Sequence, residues 1–276
     1  MLDTSPIAPL LQRARGIARA SFRLRDGRTV VENLFQSGSA KALLPKSYEA
    51  AAHVVFVNTA GGITGGDRFG FEVGAGDGTE VVATTQAAER IYRATGTNGE
   101  LHNRLTLGPG ATLSWLPQET ILFEGGRLQR RIHVEMAQDA CLLALEPFVF
   151  GRKAMGEDLQ SGFFADSWRV RRAGELAYAD SLRLSGDLAA LTAQDATFGG
   201  ARAGANLLYV APDAEDRLAQ TRTILGDLEG VEAAASAWNG LLCVRFLAGD
   251  NTPLRRALIQ FLTRFRGSDL PRVWHM

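Results

Sequence analysis

A repeated segment constrains the fold of this chain more than any other sequence feature. "GDGTEVVATTQ" begins at Gly76, and "GPGATLSWLPQ" begins at Gly108, with two glycines and a glutamine in register. "QDACLLALEP" continues the series, because its Ala140 takes the place of Ala111 in the preceding copy. "GELAYADSLRL" is a weaker copy with Glu175 in the place of Ala140, and "LRDGRTVV" resembles the same unit. A period of roughly thirty residues predicts a stacked arrangement of strands, although hairpins in any β-rich protein can fall at such spacings.

Alternating hydrophobicity identifies the repeated units as strands. In "RFGFEV", Phe69, Phe71 and Val73 point to one face, while Arg68 and Glu72 point to the other. "HVVFVN" is apolar throughout, which is typical of a strand buried on both faces. "LHNRLTL", "RIHVEM" and "WRVRR" alternate in the same way. We therefore predict a mainly β fold with a β-helix-like, two-layer stack of strands.

The C-terminal third of the chain has a different pattern. A strand "NLLYVAP" precedes a predicted helix, "DAEDRLAQTRTILG", with Asp213 as its candidate N-cap and Gly226 just past its end. Two further strands flank Asn239-Gly240, which is a strong hairpin signal. Because a second predicted helix follows at the end, we predict a small β-α-β-β-α module for this part of the chain.

The last helix has the clearest boundaries in the sequence. Thr252 is its predicted cap, Pro253 suits the first turn, and Gly267 ends it. Its predicted apolar face consists of Leu254, Leu258, Phe261, Leu262 and Phe265. Because no flexible linker precedes the module, we predict one compound domain over residues 1–276, with a repetitive β part at about 20–185 and the α+β part at about 205–276.

Composition excludes some classes of function. Lys and Arg number 30, as do Asp and Glu, so the formal net charge is zero and a general basic field for nucleic acid is absent. The two cysteines, Cys141 and Cys243, lie in apolar runs and are interpreted as small buried side chains. The first residues lack a basic segment followed by a long apolar one, and no apolar stretch reaches the length of a membrane span. We expect a soluble cytoplasmic protein that binds neither nucleic acid nor a membrane.

A glycine-rich stretch, "NTAGGITGGDRF", invites a nucleotide-binding interpretation. A phosphate loop requires a lysine where this sequence has Asp67-Arg68, and a dinucleotide motif requires a following helix where this sequence has a strand. Both interpretations therefore fail. The stretch predicts a tight strand-to-strand turn in which glycines allow close backbone approach.

Catalytic motifs are not recognisable in the chain. The four histidines are scattered, and His102 and His133 fall at outward positions of alternating strands. Carboxylates near predicted turns could serve acid–base chemistry, could offer weak oxygen ligands to a divalent cation, or could simply be solvated. These residues are Asp67, Glu89, Glu119, Glu146, Glu157 and Asp158.

Five segments, in order along the chain, resemble a known family. They are "NTAGGITGGDR", "TTQAAERIYR", "LPQETILFEG", "GRKAMGE" and "LPRVW". Together they resemble the UreD family of urease accessory proteins, called UreH in some bacteria. The first fifty residues match more loosely.

This resemblance implies a non-enzymatic role in metallocentre assembly. Family members act as scaffolds and chaperones that help to load nickel into apo-urease. They dock on apo-urease and bind the F-type accessory protein, which recruits the G-type GTPase. The implied fold is mostly β with a small helical part. The resemblance also implies an internal polar path for transient Ni2+, without a tightly bound cofactor.

A path for an ion must let the ion leave, so strong thiolate or multi-histidine sites are unsuitable. Within the matched segments we expect acidic and amide side chains to form the path, with arginines orienting them. The expected path residues are Asp67, Glu119, Glu146 and Glu157, supported by Gln86, Arg68 and Arg93. For partner binding we expect Arg152, Met155, Arg272 and Trp274, although Trp274 could instead pack onto its own domain.

Two other functions remain open from the sequence. One is a β-solenoid carbohydrate-active enzyme that uses paired carboxylates, which would require an open groove lined by close acids. The other is a purely structural adaptor without metal contact.

Overall fold

A computed structural model describes residues 12–46, 50–151, 156–157 and 159–276 of the chain. Over these ranges seventeen strands form two large sheets, and three α-helices accompany them. The predicted mainly β fold is confirmed. Within the same ranges, no helix combines the length and the apolar character needed to cross a membrane.

Sheet A is built around parallel strands. Its described strands are, in spatial order, β14 (Glu175–Gly186), β13 (Gly162–Arg172), β11 (Arg127–Met136), β8 (Gly99–Leu107), β5 (Arg68–Ala75), β1 (Arg15–Arg25) and β2 (Arg28–Gly38). The five inner strands run parallel to one another. The two outer strands, β2 and β14, are antiparallel hairpin partners of β1 and β13.

Sheet B is longer and joins the two parts of the chain. Its described strands are, in spatial order, β16 (Glu232–Trp238), β17 (Leu241–Ala248), β15 (Ala203–Val210), β12 (Cys141–Phe150), β9 (Thr112–Leu116), β6 (Glu80–Thr85), β4 (Ala52–Asn58) and β3 (Ala40–Leu43). Two short strands, β7 (Glu89–Ile91) and β10 (Thr120–Leu122), pair beside the end of β12. Because β12 pairs with β15, one sheet runs from the repetitive part into the α+β part.

The sequence repeat sets the register of the parallel strands. In sheet B, Glu80 of β6 lies opposite Thr112 of β9, and Thr112 lies opposite Cys141 of β12, so each strand is displaced from its neighbour by one repeat. Sheet A shows the same displacement, since Arg68 of β5 lies opposite Glu100 of β8. The chain alternates between the sheets, so each repeat adds one strand to each layer. The predicted β-helix-like stack is confirmed.

Two of the proposed copies are not repeats of this kind. The "GELAYADSLRL" segment forms β14, where Glu175 lies opposite Arg172 in an antiparallel hairpin of sheet A, so it does not follow β12 in the stack. The "LRDGRTVV" segment is the β1–β2 hairpin, with Asp26 and Gly27 at positive φ in its turn. A strand–turn–strand pattern is common to hairpins and to stacked coils, and this explains both errors.

The hydrophobic core has two parts, one between the two sheets and one between sheet B and the longer helices. Between the sheets, Phe69, Phe71 and Val73 are buried as predicted, and Phe71 contacts Phe56 of the facing sheet with ring centroids 5.0 Å apart. Val54 and Val55, next to Phe56 in β4, are buried on opposite faces, which confirms the continuous apolar run as a doubly covered strand.

The two longer helices cover the other face of sheet B, whereas the shortest helix contributes to the core between the sheets. The helical elements are α1 (Leu188–Thr192), α2 (Leu218–Gly226), α3 (Asn251–Arg266) and a 3-10 turn at Arg272–His275. All five residues of the predicted apolar face of α3 are buried, and Phe261 packs on Phe246 of β17. The outer face of sheet A carries no helix among the described residues.

The predicted N-caps of two helices are wrong. α2 begins at Leu218, and Asp213 accepts a hydrogen bond from the Arg217 side chain instead of capping the helix. α3 is capped by Asp250, whose carboxylate accepts from the Thr252 N–H, so the predicted cap lies too late in the sequence. Gly267 ends α3 in the left-handed conformation, as predicted.

Other local predictions have mixed outcomes. Asn239 and Gly240 both have positive φ and form the β16–β17 turn, which confirms the hairpin. Cys141 and Cys243 are free thiols that are only partly buried, so the prediction that both are buried side chains is wrong. Cys141 is the first residue of β12, whose other residues are all buried, whereas Cys243 lies on the side of β17 that also carries the exposed Arg245.

The glycine-rich stretch is a crossover between sheets, because it leads from β4 of sheet B to β5 of sheet A. A Cβ on Gly62 would overlap the Tyr92 ring and lie 2.6 Å from the Arg90 carbonyl oxygen, and the φ of Gly62 is +149°. A Cβ on Gly65 would overlap the Thr97 carbonyl oxygen. The predicted close backbone approach is therefore confirmed, although the connection joins two layers and is longer than a tight turn.

Candidate functional site

A charged network lies between the two sheets. Arg130 of β11 donates two hydrogen bonds to Asp166 of β13, from Nε to Oδ1 and from Nη2 to Oδ2, each 2.9 Å long. Its Nη1 donates to Oε2 of Glu146 across the layer at 2.5 Å and to the Thr120 hydroxyl at 3.0 Å. These side chains are almost wholly excluded from water. One guanidinium thus bridges carboxylates that belong to opposite sheets.

Neutral donors complete the shell around Glu146. Its Oε1 accepts from Trp115 Nε1 at 2.8 Å and from Asn103 Nδ2 at 3.0 Å. On the other side, Trp168 Nε1 donates to Asp166 at 3.2 Å. Asn103 Oδ1 is buried and has no hydrogen-bond partner among the described residues. The network therefore has unused acceptor capacity in the middle of the protein.

The electrostatics of this network favour an added cation. Burial raises the pKa of Glu146, against the opposing attraction of Arg130. Burial alone would lower the pKa of Arg130, but the charges of Asp166 and Glu146 raise it, so the guanidinium remains charged. When both carboxylates are ionised, two negative charges face one positive charge. In that state the excess negative charge lies in a medium of low dielectric constant, where it acts strongly on a cation.

Sequence reasoning missed most of this network, although a signal was present. In β11, Arg130 has the same parity as the buried Leu128 and Ile132, so alternation places its side chain inward. Asn103 in β8 and Asp166 in β13 are likewise flanked at i±2 by buried apolar residues. A charged or amide side chain on the apolar face of an alternating strand is the signal that would have found them.

A second polar group lies at the end of β4. The Asn58 amide donates to Glu89 Oε1 at 2.9 Å and to the Gly62 carbonyl oxygen at 3.2 Å. A pocket of about 180 Å3 is lined by Asn58, Gln86 and Glu89, with Phe56 and Phe71 at its inner side. Gln86 is exposed, whereas Phe56 is fully buried and packs on Trp115 of the central network. The pocket therefore points from the surface towards that network.

Glu89 is the titratable group of this pocket. Burial raises its pKa to about 7, although the hydrogen bonds from Asn58 and from the Arg90 backbone oppose the shift. Near neutral pH the carboxyl group therefore exchanges between its protonated and ionised forms. Sequence reasoning named Glu89 among the acidic residues but did not include it in the path.

Hydrogen bonds connect the pocket to the central network. The Glu89 N–H donates to the Glu119 carbonyl oxygen at 2.9 Å, and Thr120, the next residue, receives the bond from Arg130. The Glu119 carboxylate is mostly buried and binds Arg255 at 3.3 Å and the Asn251 amide at 2.9 Å. We use the name polar seam for Asn58, Gln86, Glu89, Glu119, Thr120, Arg130, Glu146 and Asp166.

Asp67 is a buried residue at the end of the glycine crossover, directly before β5. Its Oδ1 accepts from the Ala14 N–H at 2.7 Å, and its Oδ2 accepts from the Thr64 N–H at 2.9 Å. Both carboxylate oxygens thus accept hydrogen bonds from the backbone, and Asp67 stabilises the conformation of the crossover. Arg68 points to the outer face of sheet A and lies 3.8 Å from Glu100, away from the other predicted path residues.

Glu157 and Arg93 form a separate group. The Glu157 carboxylate accepts from the Glu124 N–H at 3.1 Å, and the Glu124 side chain lies 3.9 Å from Arg93. Glu124 also accepts from the Ser161 hydroxyl at 2.7 Å. The structure thus brings Gln86, Glu119 and Glu146 into the polar seam, while it places Glu157 and Arg93 together elsewhere.

The predicted partner-binding residues have different environments. Arg272 is exposed, whereas Trp274 is buried, donates to the Leu116 carbonyl oxygen at 3.0 Å and lies under Arg255. Trp274 therefore fills the intramolecular role that the sequence also allowed. Arg152 and Met155, like Asp158, lie outside the described residues.

Strong metal chelation is not a feature of the described residues. They contain no group of three or more His, Cys, Asp or Glu side chains that could hold a metal ion. The polar seam instead offers carboxylates and amides that are spaced singly and already hydrogen-bonded. Such a set can attract a divalent cation without holding it for long.

Comparison with known proteins gives one family. A family model described as "UreD urease accessory protein" matches residues 14–275. "Urease accessory protein UreD" of Rhizobium rhizogenes strain K84 is 46% identical over 266 residues, which cover 96% of both chains. The protein of the same name from Methylobacterium sp. strain 4-46 is 47% identical over 275 residues, covering 98% of both chains. That of Xanthobacter autotrophicus strain Py2 is 46% identical over 265 residues, covering 96% of this chain and 91% of the relative.

Proposed function

Since the chain belongs to the UreD family of urease accessory proteins, we propose that it serves as a scaffold and chaperone that helps to deliver nickel to apo-urease. In this role it docks on apo-urease together with the F-type accessory protein, which recruits the G-type GTPase, in the cytoplasm. GTP hydrolysis belongs to the G-type partner, because the glycine-rich crossover of this chain lacks the lysine of a phosphate loop.

The polar seam is the observation that carries the nickel-delivery part of this proposal. It links an exposed pocket residue, Gln86, through Glu89 and Glu119 to Glu146 between the sheets. Oxygen ligands suit a divalent cation in transit, and the excess negative charge around Arg130 offsets part of the energy required to remove the cation from water. Nickel is thus treated as cargo that moves along the chain.

Release is favoured by the competition within the seam. Glu146 is already bound by Arg130, and Glu119 is already bound by Arg255 and Asn251. A nickel ion that enters displaces these partners, and the partners return when it leaves. Favourable entry combined with weak retention is what conduction requires.

Enclosure of the carboxylates favours this role over glycoside hydrolysis. Glu146 and Asp166 are bridged by Arg130 and buried between two sheets. An acid–base pair acting on a polysaccharide must line a groove that admits the sugar. Glu146 and Asp166 lie in the core and do not line such a groove.

Complementation of a urease-producing bacterium that lacks its own D-type protein tests the proposal. Expression of this chain is expected to restore urease activity and nickel content, and the chain is expected to co-purify with apo-urease and the F-type protein. A urease that stays free of nickel although the complex assembles would overturn nickel delivery. Nickel titration of the purified chain by calorimetry separates the alternatives: weak binding supports a path, and its absence supports a purely structural adaptor.

A further inference from the structure

The outer face of sheet A has a concentration of positive charge in a chain whose formal net charge is zero. Alternation along the strands sends every second side chain to this uncovered face. Its exposed arginines are Arg15, Arg19, Arg23, Arg68, Arg104, Arg169, Arg171 and Arg183, and the partly exposed Arg131 lies among them. Three carboxylates, Glu72, Glu100 and Glu135, are interspersed. The face is therefore basic but of mixed sign.

Strand register aligns these side chains in rows across the sheet. One row runs Arg19, Glu72, Arg104, His133 and Arg169, each residue directly opposite the next on adjacent strands. Adjacent strands lie about 4.8 Å apart, so the charged groups of a row are close neighbours. The positive charge is thus a property of the whole face and not of one loop.

The carboxylates of this face lie on its three central strands and pair with arginines of neighbouring strands. Glu72 lies 3.0 Å from Arg19, and Glu135 lies 3.9 Å from Arg171. By contrast, Arg104 has no ion pair with any described residue. Its charge is therefore available for an external partner at the centre of the face.

The positive charge of this face also contributes to the pKa values of its two histidines. Burial is the first cause that lowers the pKa of His133, and the charges of Arg104, Arg131 and Arg169 lower it further. The pKa of His102 is lowered by burial and then by Arg131, against the opposing charge of Glu100. Both imidazoles are exposed, as predicted, and their partial burial, together with the neighbouring arginines, favours the neutral form.

The dimensions of the face suit a folded partner. Strands of about nine residues are about 30 Å long, and five parallel strands span about 24 Å, which gives roughly 700 Å2. One side of a standard protein–protein interface buries about 800 Å2. At one edge, Phe35 and Ile17 are exposed large apolar residues, and Arg19 lies 5.3 Å from the Phe35 ring. Arginine together with aromatic side chains is typical of protein interfaces.

We propose that the outer face of sheet A docks this chain on an acidic surface of apo-urease. This inference rests on the proposed function, which makes apo-urease the protein that receives nickel. A folded protein fits better than nucleic acid, because Glu72, Glu100 and Glu135 would repel phosphates but can pair with basic residues of a protein partner. The mixed pattern of charge would also fix the orientation of the complex.

A charge-reversal pair tests the docking surface. Arg104→Glu/Arg169→Glu alters the centre of the face, and Arg222→Glu/Arg256→Glu changes the same number of exposed arginines on α2 and α3, behind the other sheet. Binding of the full-length chain to apo-urease, with the F-type protein present, is measured by surface plasmon resonance at low and high salt. Melting temperatures verify folding, and Arg104→Gln/Arg169→Gln replaces the first variant if it does not fold.

The expected result is an affinity of the wild-type chain that falls with salt. The face variant should bind at least roughly tenfold more weakly at low salt, whereas the helix variant should bind like wild type. Equal binding by wild type and face variant would overturn the docking surface and leave the proposed function intact. A wild-type chain that does not bind apo-urease would overturn both. Loss of binding confined to duplex DNA, used as a parallel probe, would assign the face to nucleic acid and also overturn the inference.

Discussion

Arg130 shows how one side chain can determine the stability of the region between the sheets. Its replacement by Met keeps much of the volume but leaves the carboxylates of Glu146 and Asp166 facing each other without a cation. Removal of one partner from a buried ion pair destabilises a protein by about 3–5 kcal/mol. We therefore expect Arg130→Met to lower the free energy of unfolding by about that amount in urea titrations.

A surface arginine provides the control for this variant. Arg264 pairs with Asp227 at 2.8 Å in a solvent-exposed position, and Arg264→Met should lower the stability by at most about 1 kcal/mol. In the Arg130→Met background, Glu146→Gln should restore part of the loss because it removes one unpaired charge. Equal, small effects of both arginine variants would contradict the description of the network.

The raised pKa of Glu89 leads to a pH-dependent prediction. Burial raises this pKa to about 7 from its ordinary value of 4.5, so the folded state favours the protonated form. Stability associated with that form is complete below the unfolded-state pKa and is lost as the pH rises through about 7. Glu89→Gln mimics the protonated carboxyl group and keeps an oxygen for the Asn58 amide.

The expected result is a variant whose melting temperature exceeds that of the wild type by a margin that grows from pH 5 to pH 8 and then levels off. Glu232→Gln, an exposed change on β16, should show no such trend. Scanning calorimetry at several pH values measures the difference. A margin that does not depend on pH would contradict the assigned environment of Glu89.

At the residue scale, the alternation of side chains along strands carried information that the motifs did not. The parity of Asn103, Arg130 and Asp166 within alternating strands predicts that they point inward. Parity does not say which inward residues meet, because Arg130 reaches Glu146 only through the packing of one sheet on the other. Glu119 and Glu146 were expected in one path from family resemblance, and the hydrogen bonds that relate them became visible only in three dimensions.

At the scale of elements, the cap of α3 offers a clear test. Asp250 accepts a hydrogen bond from the Thr252 N–H, and the side chain of Thr252 has no capping role. Replacement of an N-cap Asp by Ala costs about 1 kcal/mol in stability. Asp250→Ala should therefore destabilise the protein by about that amount in urea titrations, and Thr252→Ala should have a much smaller effect. The reverse order would support the cap expected from sequence.

The repeat shows what spacing can and cannot predict for elements. The spacing between successive copies equals the offset in residue number between paired positions of β6, β9 and β12. This follows because each coil must bring its strand back beside the previous one. The same pattern misassigned β14, whose hairpin with β13 ends the parallel series in sheet A. Local sequence does not indicate when a chain stops coiling and turns back, since the turn residues are similar in both cases.

At the scale of the whole molecule, the two sheets and the helices form layers whose surfaces differ in charge and exposure. The basic outer face of sheet A carries no helix in the described part of the chain, the centre of the polar seam lies between the sheets, and α2 and α3 cover the opposite face of sheet B. The layered β architecture followed from periodicity. The concentration of charge on one face could not be read from a net charge of zero, because it depends on which strands are neighbours.

The central claim is that carboxylates of the polar seam conduct nickel to apo-urease. Its most direct test is the nickel content per urease active site after co-expression with the accessory proteins, measured for Glu119→Gln/Glu146→Gln and for the control Glu232→Gln. Both variants must be shown to fold and to co-purify with apo-urease. We predict a several-fold loss of nickel with the seam variant and normal loading with the control. Normal loading by the seam variant within an intact complex would contradict the claim.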